Sequence, residues 1–174
     1  MSPIFRPGCA ELTEQQMRFL WQYEGDCLIR RQYGGDTGKT IQQAAAVPVR
    51  WDADGPHVLV ITSSSGDSWL VPKGHVELDE TSLESACKEA EEEGGVRGTM
   101  LPGAIGEFDY FKYGSRYHVQ VFLLHVTEVM SEWDESALRK RAWVTCSEAA
   151  EMICIEPLAD LVRSLPERLA ELGT

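Results

Sequence analysis

The sequence predicts one α/β domain of the α+β kind, in which short strands surround one central helix and further helices close the chain. Three observations carry that expectation. Apolar residues alternate with a period of two across residues 117–126 and several shorter runs, the spacing of a strand with one buried face. Leu83, Ala86, Cys87 and Ala90 recur at three- and four-residue spacing, the period of a helix over residues 81–93. A chain of 174 residues with 43% apolar and 25% charged residues can also bury one core without metal or disulfide support.

Along the chain, residues 1–36 read as an N-terminal extension. Leu12, Met17, Leu20 and Trp21 suggest a short helix over 11–23, and the glycines of 33–39 form a turn. Strands are expected at 41–50, 57–63 and 68–71, separated by Gly- and Asp-bearing turns at 51–56 and 64–67. Thr81 opens the central helix, because its hydroxyl can accept from the backbone of Glu84 while Glu84 reaches back to Thr81; Gly94 and Gly95 stop it. Strands at 100–111 and 116–130 follow, joined by a turn at 112–115, then a short strand at 141–145. Helices at 147–152 and 158–172 finish the chain in the segment 157–174, the second broken near Pro166, which lacks the N–H a helix interior needs. The sequence contains no internal repeat, long linker or low-complexity tract.

The balance of 28 acidic and 16 basic residues leaves a formal charge of −12. That argues against unassisted binding to nucleic acid or to an anionic membrane, and allows phosphate binding where divalent cations stand between. The five cysteines are odd in number and show no Cys-x-x-Cys or Cys/His ligand spacing, so reduced thiols are expected. No apolar run approaches the roughly 18 to 20 residues of a membrane span, and the N-terminus has no signal-peptide pattern. The expectation is a cytoplasmic protein, monomer or homodimer, with a small-molecule partner, no nucleic acid and no membrane.

The chemistry concentrates in residues 74–96. On a helix, Glu89, Glu92 and Glu93 stand at i, i+3 and i+4, on a different face from the apolar stripe. Three like charges so placed repel one another by a few tenths of a kcal/mol per pair. A charge run of this sort is ordinarily a solvated face. The alternative counter-charge is a hard divalent cation, since Mg²⁺ and Mn²⁺ favour carboxylate and phosphate oxygens.

The flanking residues resemble the signature of the Nudix family: Gly, five residues, Glu, seven residues, Arg-Glu, an aliphatic residue, any residue, Glu-Glu, any residue, Gly, aliphatic. Gly74, Glu80, Glu89, Ala90, Glu92, Glu93, Gly95 and Val96 stand in register with it. Lys88 departs, occupying the arginine position. The resemblance implies a mixed, curved β-sheet sandwiched between helices, and a Mg²⁺- or Mn²⁺-dependent hydrolase of phosphoanhydride bonds. It makes Glu89 and Glu93 metal ligands and Glu92 a further ligand or the base that activates water, so that Glu89 and Glu92 are the catalytic candidates. Gly74 contributes its carbonyl; Glu80, Lys88 and Gly95 support the box. Lysine is a flexible point charge where the family has a planar fork, so a weaker enzyme or an adjusted network is expected. The plainer reading of Lys88 is an ion pair with Glu84 or Glu92.

Outside the box, residues 31–39 before 44–46, residues 63–65 and 69–74, and residues 127–134 followed by 139–144 are similar to the diphosphoinositol polyphosphate and diadenosine polyphosphate hydrolases. That likeness places Lys73, Arg116, Lys140 and Arg141 near the substrate, with Ser63 and Ser64 as further phosphate donors. The plainer readings are surface solvation for Arg139 and Lys140, a surface ion pair for Arg116 and turn chemistry for the serines. Members active on inositol pyrophosphates tend to carry an arginine just after the serine run, where this chain has Ser65, Gly66 and Asp67; its lack favours a less charged substrate. Glu107, Asp109, Glu128, Glu132 and Asp134 are candidate distal bases. Trp69, Phe108, Tyr110 and Trp143 are candidate base-stacking aromatics, although strand aromatics are more often core. An ADP-ribose or NADH pyrophosphatase, and a Nudix-fold module that binds a phosphorylated ligand without cleaving it, are the alternatives.

Overall fold

The computed structural model describes residues 38–112 and 114–171. The helix expected over 11–23 and most of the turn at 33–39 lie outside these residues. The chain divides into two units. One contains, of the described residues, 38–40, 110–112 and 114–116, and within it the Arg116 N–H donates to the Lys39 carbonyl at 3.1 Å. The other contains residues 41–109 and 117–171 and carries the box.

Eight strands pair into one sheet among the described residues: β1 (Thr40–Asp52), β2 (Gly55–Thr62), β3 (Trp69–Leu70), β4 (Lys73–His75), β5 (Val96–Met100), β6 (Gly106–Lys112), β7 (Ser115–Val129) and β8 (Arg141–Thr145). The main order is β3-β2-β1-β7-β5; β4 pairs with β1, β6 with β7 and β8 with β2. The helices are α1 (Ser82–Glu92), α2 (Cys146–Met152), α3 (Glu156–Arg163) and α4 (Leu165–Glu171). The α+β class follows from this composition of elements, as the sequence predicts.

β1 positions the box. Its C-terminal half pairs antiparallel with β2, from Val49↔Val58 to Asp52↔Gly55, while Gln43, Ala44 and Ala45 pair with His75, Gly74 and Lys73 of β4. Strand alternation then sorts the core. Ala44, Ala46, Leu59, Ile61, Phe122, Leu124 and Val126 face α1 and meet Ala86 and Ala90. Val47, Val49, Val58, Val60, Val121 and Leu123 point the other way and are as deeply buried, while α2 packs against β2. Alanines on both sides of the α1 interface let the helix approach the sheet closely, which brings its carboxylates down to β4.

Local chemistry sets the ends of α1. The Thr81 hydroxyl accepts from the Glu84 N–H at 3.2 Å, and Glu84 accepts from the Thr81 N–H at 2.8 Å. Thr145 and Glu148 form the same reciprocal cap at α2. Two strands differ from expectation. The run 100–111 is split into β5 and β6 around Pro102 and Gly103, and β5 begins at Val96, the last residue of the box. β4 is a strand although its Gly74 reads as loop in isolation, because β1 supplies the pairing partner. The break between α3 and α4 falls at Ser164, where Pro166 cannot extend the preceding helix.

Candidate active site

Glu89 and Glu93 reach from the end of α1 towards β4, and Glu93 also towards the chain after β7. The Glu89 carboxylate lies against the backbone of Gly74: a Cβ there would stand 1.9 Å from Glu89 Oε1. Glycine at 74 is what lets this carboxylate lie there. Burial, followed by the charges of Glu93 and Glu92, pushes the Glu89 carboxyl up to about 7. Glu93 is deeper, its side chain 7% exposed, and both its oxygens are held. Oε2 accepts from the Lys73 N–H at 2.9 Å, and Oε1 is ion-paired with Arg139. Burial raises the Glu93 carboxyl, and the Lys73 hydrogen bond and the Arg139 charge oppose that rise. The acidic face is thus a half-buried charge cluster, contrary to a solvated helix face.

Lys88 turns away from both partners proposed for it as a helix ion pair. Its Nζ donates to Glu80 Oε1 and Oε2 at 2.9 and 3.1 Å, and Glu80 Oε1 also accepts from the Glu77 N–H at 3.0 Å. Glu84 is occupied by the Thr81 cap. Lysine at this position ties the loop of residues 77–80 to α1; the pair raises Lys88 and lowers Glu80 in their titration, chiefly through the shared hydrogen bond. Ser85, fully buried, adds a second tie by donating to the His75 carbonyl at 3.0 Å.

The segment after β7 closes the site, and here the sequence reading needs correction. Arg139 is no solvated surface cation: its side chain is 9% exposed, it pairs with Glu93 and Glu135, and it donates to the Thr62 carbonyl at 2.9 Å. Arg141, expected at the substrate, is engaged with backbone. Nη1 donates to the Gly94 and Gly95 carbonyls at 2.9 and 3.0 Å, Nη2 donates to the Met130 carbonyl at 2.6 Å, and the guanidinium lies 4.0 Å over the Trp133 ring. It satisfies carbonyls that the end of α1 leaves without helical partners. Trp133 in turn donates from Nε1 to the Glu93 carbonyl at 3.1 Å.

Lys73 Nζ donates to Gln43 Oε1 at 3.3 Å, directly beside Gly74. Ser63 Oγ lies 3.1 Å from Ser65 Oγ, inside a turn closed by Ser63 N–H to the Ser68 carbonyl, and Ser64 is exposed. Arg116 belongs to the smaller unit. Glu107 and Asp109 face His118, at 3.5 and 2.9 Å, and Glu128 faces Arg97. Phe108 is buried, and Trp143 packs on the core with Arg50 4.5 Å over its ring, so neither offers a free stacking face. Glu135, unremarkable in sequence, raises both Glu89 and Glu93 by its charge and so stands near them. Only its place four residues before Arg139 could have signalled it.

The donor set suits a hard divalent cation: oxygens only, half-buried, and crowded enough to push one carboxyl up to about 7, with the Gly74 backbone against the Glu89 carboxylate. Among the described residues no three acidic, His or Cys side chains are drawn together at ligand distance. Glu93 is turned to Lys73 and Arg139 instead.

A sequence model described as NUDIX domain matches residues 40–164. The chain is 36% identical over 126 residues to "Nudix hydrolase 16, mitochondrial" of Arabidopsis thaliana, covering 62% of this chain and 69% of that protein. It is 32% identical over 120 residues to "Diphosphoinositol polyphosphate phosphohydrolase 3-alpha" of Mus musculus, covering 67% and 72%. The chain spans about half to about seven tenths of the length of such relatives. Among solved structures, a C. elegans Ap4A hydrolase binary complex matches with a TM-score of 0.63 at 20% identity, over 75% of this chain and 98% of that one, a likeness of fold.

Proposed function

The chain belongs to the Nudix family, and from that premise we propose that it is a divalent-metal-dependent hydrolase of a phosphoanhydride bond in a small diphosphate-containing molecule. The observation that carries the reading is the Glu89 carboxylate seated where a Gly74 Cβ would be, beside buried Glu93. Two partly buried carboxylates stand together at this helix–strand junction, and Arg139 pairs with Glu93 alone of the two; a cation site supplies the charge that Glu89 still lacks.

Mg²⁺ or Mn²⁺, when bound, would lower the pKa of water and polarise a phosphoryl oxygen. Glu89, Glu93 and the Gly74 carbonyl would hold it. Glu92 is neither packed under Gly74 nor clamped by Lys73 and Arg139, and its carboxylate takes the proton of the attacking water. Lys88 and Glu80 fix the loop of residues 77–80 to α1, and Lys73, beside Gly74, orients the phosphates. The residues 65–67, without a guanidinium fork, favour a diadenosine polyphosphate over a diphosphoinositol polyphosphate, the two classes named among relatives and structural neighbours.

Turnover and Mn²⁺ binding measured together in three variants test the assignment. Glu92→Gln is expected to lose about a hundredfold or more in kcat with Mn²⁺ affinity little changed. Glu89→Gln and Glu93→Gln are expected to lose affinity as well as turnover. Turnover retained in all three overturns it.

A further inference from the structure

Arg139 serves two carboxylates at once. Its Nη2 meets Glu93 and its Nε meets Glu135, while Nη1 is fixed to the Thr62 carbonyl at 2.9 Å. The two acids differ in their surroundings: the Glu93 side chain is 7% exposed and Glu135 is 33% exposed. Both ends of this arrangement are anchored. The Glu135 N–H donates to the Glu92 carbonyl at 3.1 Å, and the Arg139 N–H donates to the Glu135 carbonyl at 2.9 Å, so the pair rides on the last turn of α1. On its other oxygen Glu93 is held by a backbone N–H, which brings no formal charge.

A cation at Glu93 and the guanidinium of Arg139 carry the same sign and claim the same oxygen, Oε1. A buried guanidinium is not left without a counter-charge, because desolvating it alone is strongly unfavourable. Glu135 supplies that counter-charge without requiring the arginine to leave Thr62. We propose that Arg139 is a positioning residue that neutralises Glu93 until a divalent cation arrives and is then handed to Glu135, so that the Arg139–Glu135 pair sets the affinity of the cation site. This inference rests on the reading of Glu93 as a ligand.

The test is Mn²⁺ binding to the full chain, read from the electron paramagnetic resonance signal of free Mn²⁺, with thermal melting as a check on folding. Arg139→Gln removes the competitor and is expected to tighten Mn²⁺ roughly fivefold or more. Glu135→Gln leaves Arg139 with Glu93 alone and is expected to weaken Mn²⁺ by a similar factor. The decisive comparison is Glu135→Gln in an Arg139→Gln background, where its effect is expected to shrink to what the Glu135 charge does directly, because no guanidinium is left to hand over. A Glu135→Gln effect that persists undiminished in that background is a direct charge effect throughout and overturns the handover. Unchanged affinity in both single variants, with Mn²⁺ binding lost in Glu93→Gln, overturns the handover alone. Mn²⁺ affinity unaffected by Glu93→Gln overturns the ligand reading and this inference together.

Discussion

Glu89 shows what the site asks of a single residue. Its carboxyl, pushed up to about 7 by burial and by Glu93 and Glu92, takes up a proton on folding between pH 4.5 and about 7. In that window the folded chain binds more protons than the unfolded one, so this group's contribution to stability falls as pH rises, the reverse of the usual salt-bridged carboxylate. With chelator present, Glu89→Gln is expected to be more stable than the parent by about 1–2 kcal/mol at pH 8, after discounting for the half-exposed side chain, and near parity at pH 4.5. Urea unfolding at the two pH values measures it; equal stability at pH 8 contradicts the assigned crowding. A cation binding there must displace that proton, so affinity should rise with pH through 7.

At the scale of elements, the α1–β4 junction and the C-terminal end of α1 each depend on a missing Cβ. Gly74→Ala would press a methyl onto the tip of Glu89, a flexible end that can swing away, so folding should survive while the carboxylate is displaced. A fall in turnover of about a hundredfold with little change in melting temperature is expected. Gly95, at φ 62°, has Arg141 Nη1 and the Trp133 ring 2.6 and 2.7 Å from its Cβ position, and neither can yield easily. Gly95→Ala is expected to destabilise by about 2–4 kcal/mol, read by denaturant unfolding. The start of α1 was legible from Thr81 and Glu84 because a capping box is a local interaction. β4 and β5 were not, because a three-residue strand around Gly74 and one beginning just after Gly95 exist only through their partners, Ala44 and Val129.

For the whole molecule, the excess of acid over base fits a phosphate enzyme only with cations between protein and substrate. The box glutamates could be found in sequence because their spacing along one helix is fixed. The contacts that set their environment could not, since Arg139 reaches Glu93 across 46 positions and Trp133 across 40. The same distance hid the backbone engagement of Arg141, which reads as a cation for substrate until Gly94, Gly95 and Met130 are seen around it. The most direct measurement of the central claim is product release from diadenosine polyphosphates, diphosphoinositol polyphosphates, ADP-ribose and NADH, each with Mg²⁺, with Mn²⁺ and with chelator. A diadenosine polyphosphate is expected to be cleaved at a phosphoanhydride bond with either metal and not with chelator; cleavage that persists in chelator, or a folded, Mn²⁺-bound protein that cleaves none of the four, would contradict the assignment.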